Sequence, residues 1–142
     1  MSDNKGLVRR VCEEAINKGN FGVLEEVLGT DYVYREPTIG EKRGKTAIRE
    51  LMTMYRNAFP DLKMTIEEQI AEGDKVVTRW TATGTQRGEF MGVRPTGKQS
   101  RVQGIVVTRF ANGKIVEETE IYDALGMLRQ LGALPTTVGK AA

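Results

Sequence analysis

The residues able to do chemistry in this chain are few, because its 142 residues include no histidine. That excludes Ser-His-Asp and Cys-His catalysis, together with metal and haem sites built on imidazole. Proton transfer near neutral pH must then rest on a carboxyl, a tyrosine or a lysine whose pKa is shifted by its surroundings. Asp123 is the leading candidate for a catalytic acid/base, at the junction between a strand-like run, Lys114 to Tyr122, and a helical stretch. Period-two alternation places Ile115, Glu117, Thr119, Ile121 and Asp123 on one face if no bulge intervenes, and the two isoleucines mark that face as inward. A carboxyl at the mouth of an apolar cavity has its pKa raised by desolvation, which suits it to proton transfer. An aspartate before a helix is also a common N-cap. Both roles stand open at this point.

Trp80 shares strand parity with Val76, Thr78, Ala82, Gly84 and Gln86. It is either a core residue with a satisfied indole N–H or the wall of a cavity for a flat apolar ligand. Tyr34, Tyr55, Phe59, Phe90 and Met91 are similar cases, some packing and some lining a pocket. Arg35 and Gln86 each fit either a cavity or a solvent-facing position. The loop Gly92-Val93-Arg94-Pro95-Thr96-Gly97 lacks the Gly-Lys-Ser/Thr ending of a phosphate loop and opens no helix. With no dinucleotide fingerprint and no Cys/His cluster, the chemistry is expected to need no bound cofactor.

The elements that must hold these residues divide the chain in two. Helical periodicity runs from about Asn4 to Lys18, through Leu7, Val8, Val11, Cys12, Ala15 and Ile16, and stops at Gly19. Asn20 is then expected to cap a short helix ending at Gly29, and Tyr32 to Arg35 is a short extended piece. A loop through Gly40 and Gly44 precedes a helix from about Thr46 to Ala58, which Pro60 ends. From Lys63 the pattern turns to strands: one carrying Met64, Ile66 and Ile70, then Lys75 to Arg87, Ser100 to Phe110 and Lys114 to Tyr122. Glu72-Gly73-Asp74 and Asn112-Gly113 mark the turns. A final helix is expected over Ala124 to Leu131. Helices first and long antiparallel strands second is an α+β pattern, with a strongly curved sheet wrapped around the N-terminal helices as a cone-shaped barrel.

The length fits one domain, placed at residues 1–132, with 133–142 as a flexible tail. Lys and Arg total 21 against 19 Asp and Glu, and this balance offers no footprint for nucleic acid. Pairs of one sign, such as Arg9-Arg10, Lys42-Arg43 and Glu117-Glu118, are read as solvated surface. The lone Cys12 lies in a helical stripe and is read as packing. No segment resembles a signal peptide or approaches the ~20 apolar residues of a membrane span, so a cytoplasmic protein is expected.

Several stretches resemble SnoaL-like polyketide cyclases, of the nuclear-transport-factor-2-like superfamily. They are Ala58-Phe59-Pro60-Asp61-Leu62, Ala71 to Val77, Arg79 to Thr85, Gly88 to Gly92, Pro95-Thr96-Gly97, and Asn112 to Glu118 continuing to Asp123 and Leu128 to Gly132. The resemblance implies a deep cavity closed by helices, and oligomers (dimer or tetramer) formed through the outer sheet face. It implies intramolecular aldol ring closure on a small hydrophobic or aromatic polyketide-like substrate, without a metal or Schiff base. An aspartate at the position matching Asp123 would remove the proton. Many relatives carry histidine near Arg35 and Gln86, some carry one at Val106, and many have tryptophan at Thr119. Without those residues, Arg35 and Gln86 become the expected carbonyl-polarising donors. Val106, Thr119 and Ile121 join the expected substrate-binding set. The alternatives are a relative of the anthracycline hydroxylases and a binder that holds an apolar molecule without reacting it.

Overall fold

Residues 3–134 are described by a computed structural model. The chain opens with α1 (Asn4–Arg10), whose first turn is capped by Asp3 accepting from the Gly6 amide at 2.9 Å. The helix continues as a wider π-helical stretch, Val11–Ile16, and ends at Gly19, which takes the left-handed φ of 74°. Next come α2 (Gly22–Val27) and, with no intervening loop, β1 (Leu28–Glu36). The expected Asn20 cap is not formed: Phe21 stands at that position with no side-chain hydrogen bond. Gly29 does not stop the helix but lies inside β1, where a Cβ would meet Val116 Cγ1 at 3.1 Å.

A further strand, β2 (Gly40–Arg43), pairs back on β1 where the sequence suggested only a loop. Four residues, Gly-Glu-Lys-Arg, are too short and polar to display a period. The buried Glu36 carboxylate closes this hairpin by accepting from the Thr38 and Ile39 amides. Helix α3 (Lys45–Ala58) then buries Ile48, Leu51 and Ala58. The remaining strands are β3 (Lys63–Glu72), β4 (Lys75–Thr85), β5 (Gln99–Ala111) and β6 (Lys114–Tyr122), followed by α4 (Ala124–Gln130). Asn112 and Gly113, with φ of 52° and 76°, supply the primed turn between β5 and β6.

The six strands form one curved, unclosed sheet in the order β2-β1-β6-β5-β4-β3. It is not wholly antiparallel as expected, because β1 runs parallel to β6. That pairing joins segments some 80 positions apart, Val33 with Glu117 and Arg35 with Thr119, and no local pattern announces it. The helices pack on the concave face in two apolar clusters. Val8, Leu24, Tyr32, Ile48 and Ile115 belong to one, and Phe59, Trp80, Phe90, Val102 and Leu131 to the other.

Two β-bulges set which residues face that core. Opposite β4, Ile66 pairs with Trp80 and Glu68 with Arg79, so Glu67 is the extra residue. Past it the parity of β3 flips, and Ile70, grouped by sequence with Met64 and Ile66, is 61% exposed. Opposite β5, Phe110 pairs with Ile115 and Arg109 with Glu117, so Val116 is extra. Among the described residues, no helix is long and apolar enough to cross a membrane. Of the expected tail, 135–142 lie outside the described residues, and the Ala133 amide donates to the Leu128 carbonyl at 2.9 Å.

Candidate functional site

The Val116 bulge decides the chemistry of the interior. Beyond it, Glu118, Glu120 and Tyr122 point into the concave face, while Glu117, Thr119 and Ile121 point out. Successive rows across β4, β5 and β6 read Val76, Thr108, Glu118, then Thr78, Val106, Glu120, then Trp80, Gly104, Tyr122. Glu118 and the side chains of the second and third rows face a cavity of about 160 Å³ whose walls are predominantly apolar. Helix residues Val11, Leu51 and Tyr55, Phe59 just past the end of α3, and strand residues Met64 and Val102 supply much of that apolar wall.

Two carboxyls stand in this apolar setting. Glu118 is fully held: Oε1 accepts from the Tyr32 hydroxyl and Oε2 from Thr108 Oγ1, both at 2.7 Å. Glu120 is held on one side only, with Oε1 accepting from the Tyr34 hydroxyl at 2.6 Å. Both retain some accessible surface and face the cavity among its apolar walls. Burial pushes the Glu118 carboxyl up. Burial, reinforced by the Glu118 charge and opposed by the Tyr34 hydrogen bond, pushes Glu120 up to about 7. A carboxyl poised there exchanges a proton in either direction at neutral pH, which is what a general base on a weak carbon acid requires. Burial raises the Tyr32, Tyr34, Tyr55 and Tyr122 hydroxyls, so these stay neutral donors.

Tyr55 and Tyr122 share one hydrogen bond of 3.1 Å between their hydroxyls. Two hydroxyls sharing one bond leave one O–H proton uncommitted among the described residues. The Trp80 indole N–H lies near enough to Glu120 to favour its charged form. Even so, Nε1 meets hydrogen-bonding geometry with no protein acceptor among the described residues.

The candidates named from sequence fall in different places. Tyr34, Tyr55, Phe59, Trp80 and Val106 line the cavity. Phe90 is completely buried behind that wall, its ring 5.4 Å from Tyr55 and 5.5 Å from Phe59. Met91 is exposed, with a positive φ of 51°. Thr119 and Ile121 lie on the outer face, because the bulge reverses the parity on which they were placed inside.

Asp123 shares that outward parity. It is exposed, absent from the cavity wall, and caps α4 by accepting from the Gly126 amide at 2.9 Å. Arg35 is half-exposed on the outer face of the sheet and pairs with Glu117 at 2.6 Å and Glu41 at 3.1 Å. Gln86 is wholly buried, but its amide is spent on the loop 88–96: Nε2 donates to the Gly88 and Val93 carbonyls, and Oε1 accepts from Thr96. Arg35 and Gln86 therefore have structural partners and do not face the cavity. Cys12 is buried, its thiol pushed up to about 12 by desolvation, as a packing residue would be.

Glu118, Glu120 and Tyr122 were not singled out by sequence reasoning. Their signal was the second parity of β6, Glu-x-Glu-x-Tyr, which reads as a solvated face because carboxyls are seldom buried. Glu117-Glu118, taken together as surface, in fact splits across the sheet.

A family profile for SnoaL-like polyketide cyclases matches residues 6–131. The aklanonic acid methyl ester cyclase DnrD of Streptomyces peucetius is 30% identical over 138 residues, covering 93% of this chain and 92% of that protein. Among solved structures, IdmH, a proposed polyketide cyclase from Streptomyces antibioticus, is 32% identical with a TM-score of 0.81, covering 92% of this chain and 99% of that one. AclR, a proposed hydroxylase from Streptomyces galilaeus, is 31% identical with a TM-score of 0.82, covering 95% of this chain and 88% of that one. A match this extensive, on the same curved α+β fold, means that the chain belongs to the SnoaL-like polyketide cyclase family.

Proposed function

We propose that the cavity closes a ring in an apolar polyketide-like substrate by an intramolecular aldol addition, with Glu120 as the base. The observation that carries this reading is Glu120 itself, a half-tethered carboxyl in a predominantly apolar cavity with its pKa raised to about 7. Glu120 takes a proton from the carbon next to a carbonyl, and the electron pair of that C–H bond passes into the enolate. The enolate carbon forms a C–C bond to a second carbonyl carbon of the same molecule. The resulting alkoxide recovers the proton from Glu120, so the product is an isomer of the substrate. The apolar walls fold the chain and exclude water, which brings the two reacting carbons together. The name of DnrD, a cyclase of a polyketide ester, supports the substrate class.

The test is mass spectrometry on a panel of aromatic polyketide β-keto esters incubated with wild type, Glu120→Gln and Asp123→Asn. Isomeric product of unchanged mass from wild type and Asp123→Asn, but not from Glu120→Gln, is expected. Full activity in Glu120→Gln refutes the assignment of the base. An oxygen-dependent gain in mass would favour hydroxylation, and binding without product would favour a carrier.

The same reading includes a second copy of this chain as partner of the outer sheet face. There Ile105 and Ile121 are cross-strand neighbours, 47% and 64% exposed. Sedimentation of wild type and Ile121→Lys checks it, with a shift to monomer expected in the variant.

A further inference from the structure

Trp80 presents a problem that the proton-transfer reading does not absorb. It is 5% exposed and lines the cavity, yet its indole Nε1, though near enough to Glu120 to favour that carboxyl's charged form, has no acceptor in hydrogen-bonding geometry among the described residues. A buried donor left unpaired costs roughly 1–3 kcal/mol, so such a group in a native site calls for an explanation. The surroundings make the placement specific. Gly104 sits between Trp80 and Tyr122 in the same cross-strand row. A Cβ there would collide with Trp80 Cζ2 and lie 2.7 Å from Cε2 and 2.8 Å from Tyr122 Cβ. Only glycine at 104 lets the indole lie down against β5. The ring then leans on Tyr122, centroids 6.3 Å apart. Its N–H is held one row from the inward side chain of Glu120.

We propose that the Trp80 indole N–H is the donor that receives the ligand's carbonyl oxygen, making Trp80 a catalytic residue and Gly104 the positioning residue that sets it. The juxtaposition suits the chemistry. A carbonyl oxygen and the acidic C–H beside it are separated by one carbon, so the group that holds the oxygen must stand near the base that takes the proton. Trp80 and Glu120 meet that requirement. As the proton leaves, charge develops on the oxygen, and a preorganised N–H in an apolar cavity stabilises it more than it stabilises the ketone. The uncommitted O–H of the Tyr55–Tyr122 pair, on the neighbouring ring, is placed to assist the same oxygen. The ligand class is thereby narrowed to apolar, ring-containing ketones, and hydrocarbons of the same shape should be discriminated against. This deepens the proposed proton transfer and rests on it for the catalytic part, while ligand recognition is measurable without turnover.

Trp80 is the chain's single tryptophan, so ¹⁵N-labelled protein gives one indole N–H signal. Titration with 1-tetralone should move its proton downfield to saturation, whereas tetralin, the same skeleton without the oxygen, should not. Trp80→Phe keeps an aromatic wall and removes the donor; it should weaken 1-tetralone about fivefold to tenfold, the worth of one hydrogen bond, and leave tetralin unchanged. Gly104→Ala should abolish the preference for the ketone. Equal indole shifts with both compounds, an equal loss of affinity for both in Trp80→Phe, or no saturable binding of either would overturn the proposal. The indole shift should persist in Glu120→Gln, so a failure of the base assignment remains separable from a failure of this one.

Discussion

Glu117 and Glu118 are neighbours in sequence and opposites in chemistry. Glu117 lies on the outer face of the sheet between the Arg35 and Arg109 guanidiniums, at 2.6 and 3.3 Å, which hold its carboxyl below the ordinary range. Glu118, one residue on, lies inside with hydroxyl partners and no cation, and burial drives its carboxyl upward. Glu120 repeats the inner environment with one oxygen less constrained. The same side chain on one strand is therefore a solvated ion-pair partner on one face and a proton-transfer candidate on the other. What separates them is which side of the sheet excludes water.

The largest effect expected from this contrast is on turnover. Glu120→Gln should lower kcat by about 10²- to 10⁴-fold, the range for loss of a general base, while Glu117→Gln should leave it within twofold. In wild type, kcat should rise with pH through about 7 as Glu120 loses its proton. Comparable rates in the two variants would erase the functional distinction between the faces.

Next in size is the pH dependence of stability. Glu120 titrates near 7 when folded against an ordinary value of 4.5, so between those values the folded state holds a proton that the unfolded chain has released. Stability is then full below about 4.5 and declines as pH rises through about 7, with Glu118 acting in the same direction. Thermal denaturation should show Glu120→Gln removing most of a decline of up to about 3 kcal/mol. Glu117, lowered by its arginines, contributes the opposite slope at acid pH: its stabilisation is present above the ordinary carboxylate range and fades as pH falls.

Smaller effects sharpen the contrast at its ends. Asp123→Ala removes the α4 cap and should cost about 1 kcal/mol in chemical denaturation with kcat unchanged. Loss of turnover at unchanged stability would instead return Asp123 to the active site. Glu117→Gln should cost no more than about 1 kcal/mol, because its ion pairs are exposed to solvent and screened by salt.

Much of the framework was legible in the residues. The apolar stripe of α3, the alternation along β5 and the Asn112-Gly113 turn are local signals, each carried within a few residues and matched by the structure. The family resemblance was likewise spread over short motifs and extends across residues 6–131 in the profile match. Tyr34, Tyr55, Phe59, Trp80 and Val106, five of the positions singled out as possible pocket or substrate contacts, border the cavity, where the apolar sides of helix and sheet meet. The polar half of the site was not legible. Ile115 and Ile121 promised one continuous inner face, but Val116 breaks the count between them, and Ile70 left its face in the same way after Glu67.

The sequence by itself determined most of the element types and their order, the absence of imidazole chemistry and the family. Tertiary structure alone decided which carboxyl is buried, and hence that Glu120 rather than Asp123 faces the cavity. Period-two alternation defines two faces of a strand but does not say which is inside, and one bulged residue exchanges them. Whether β6 bulges depends on its register with β5 and β1, the latter a parallel partner from the far end of the chain. A carboxyl's pKa, in turn, depends on how much water that packing removes from around it.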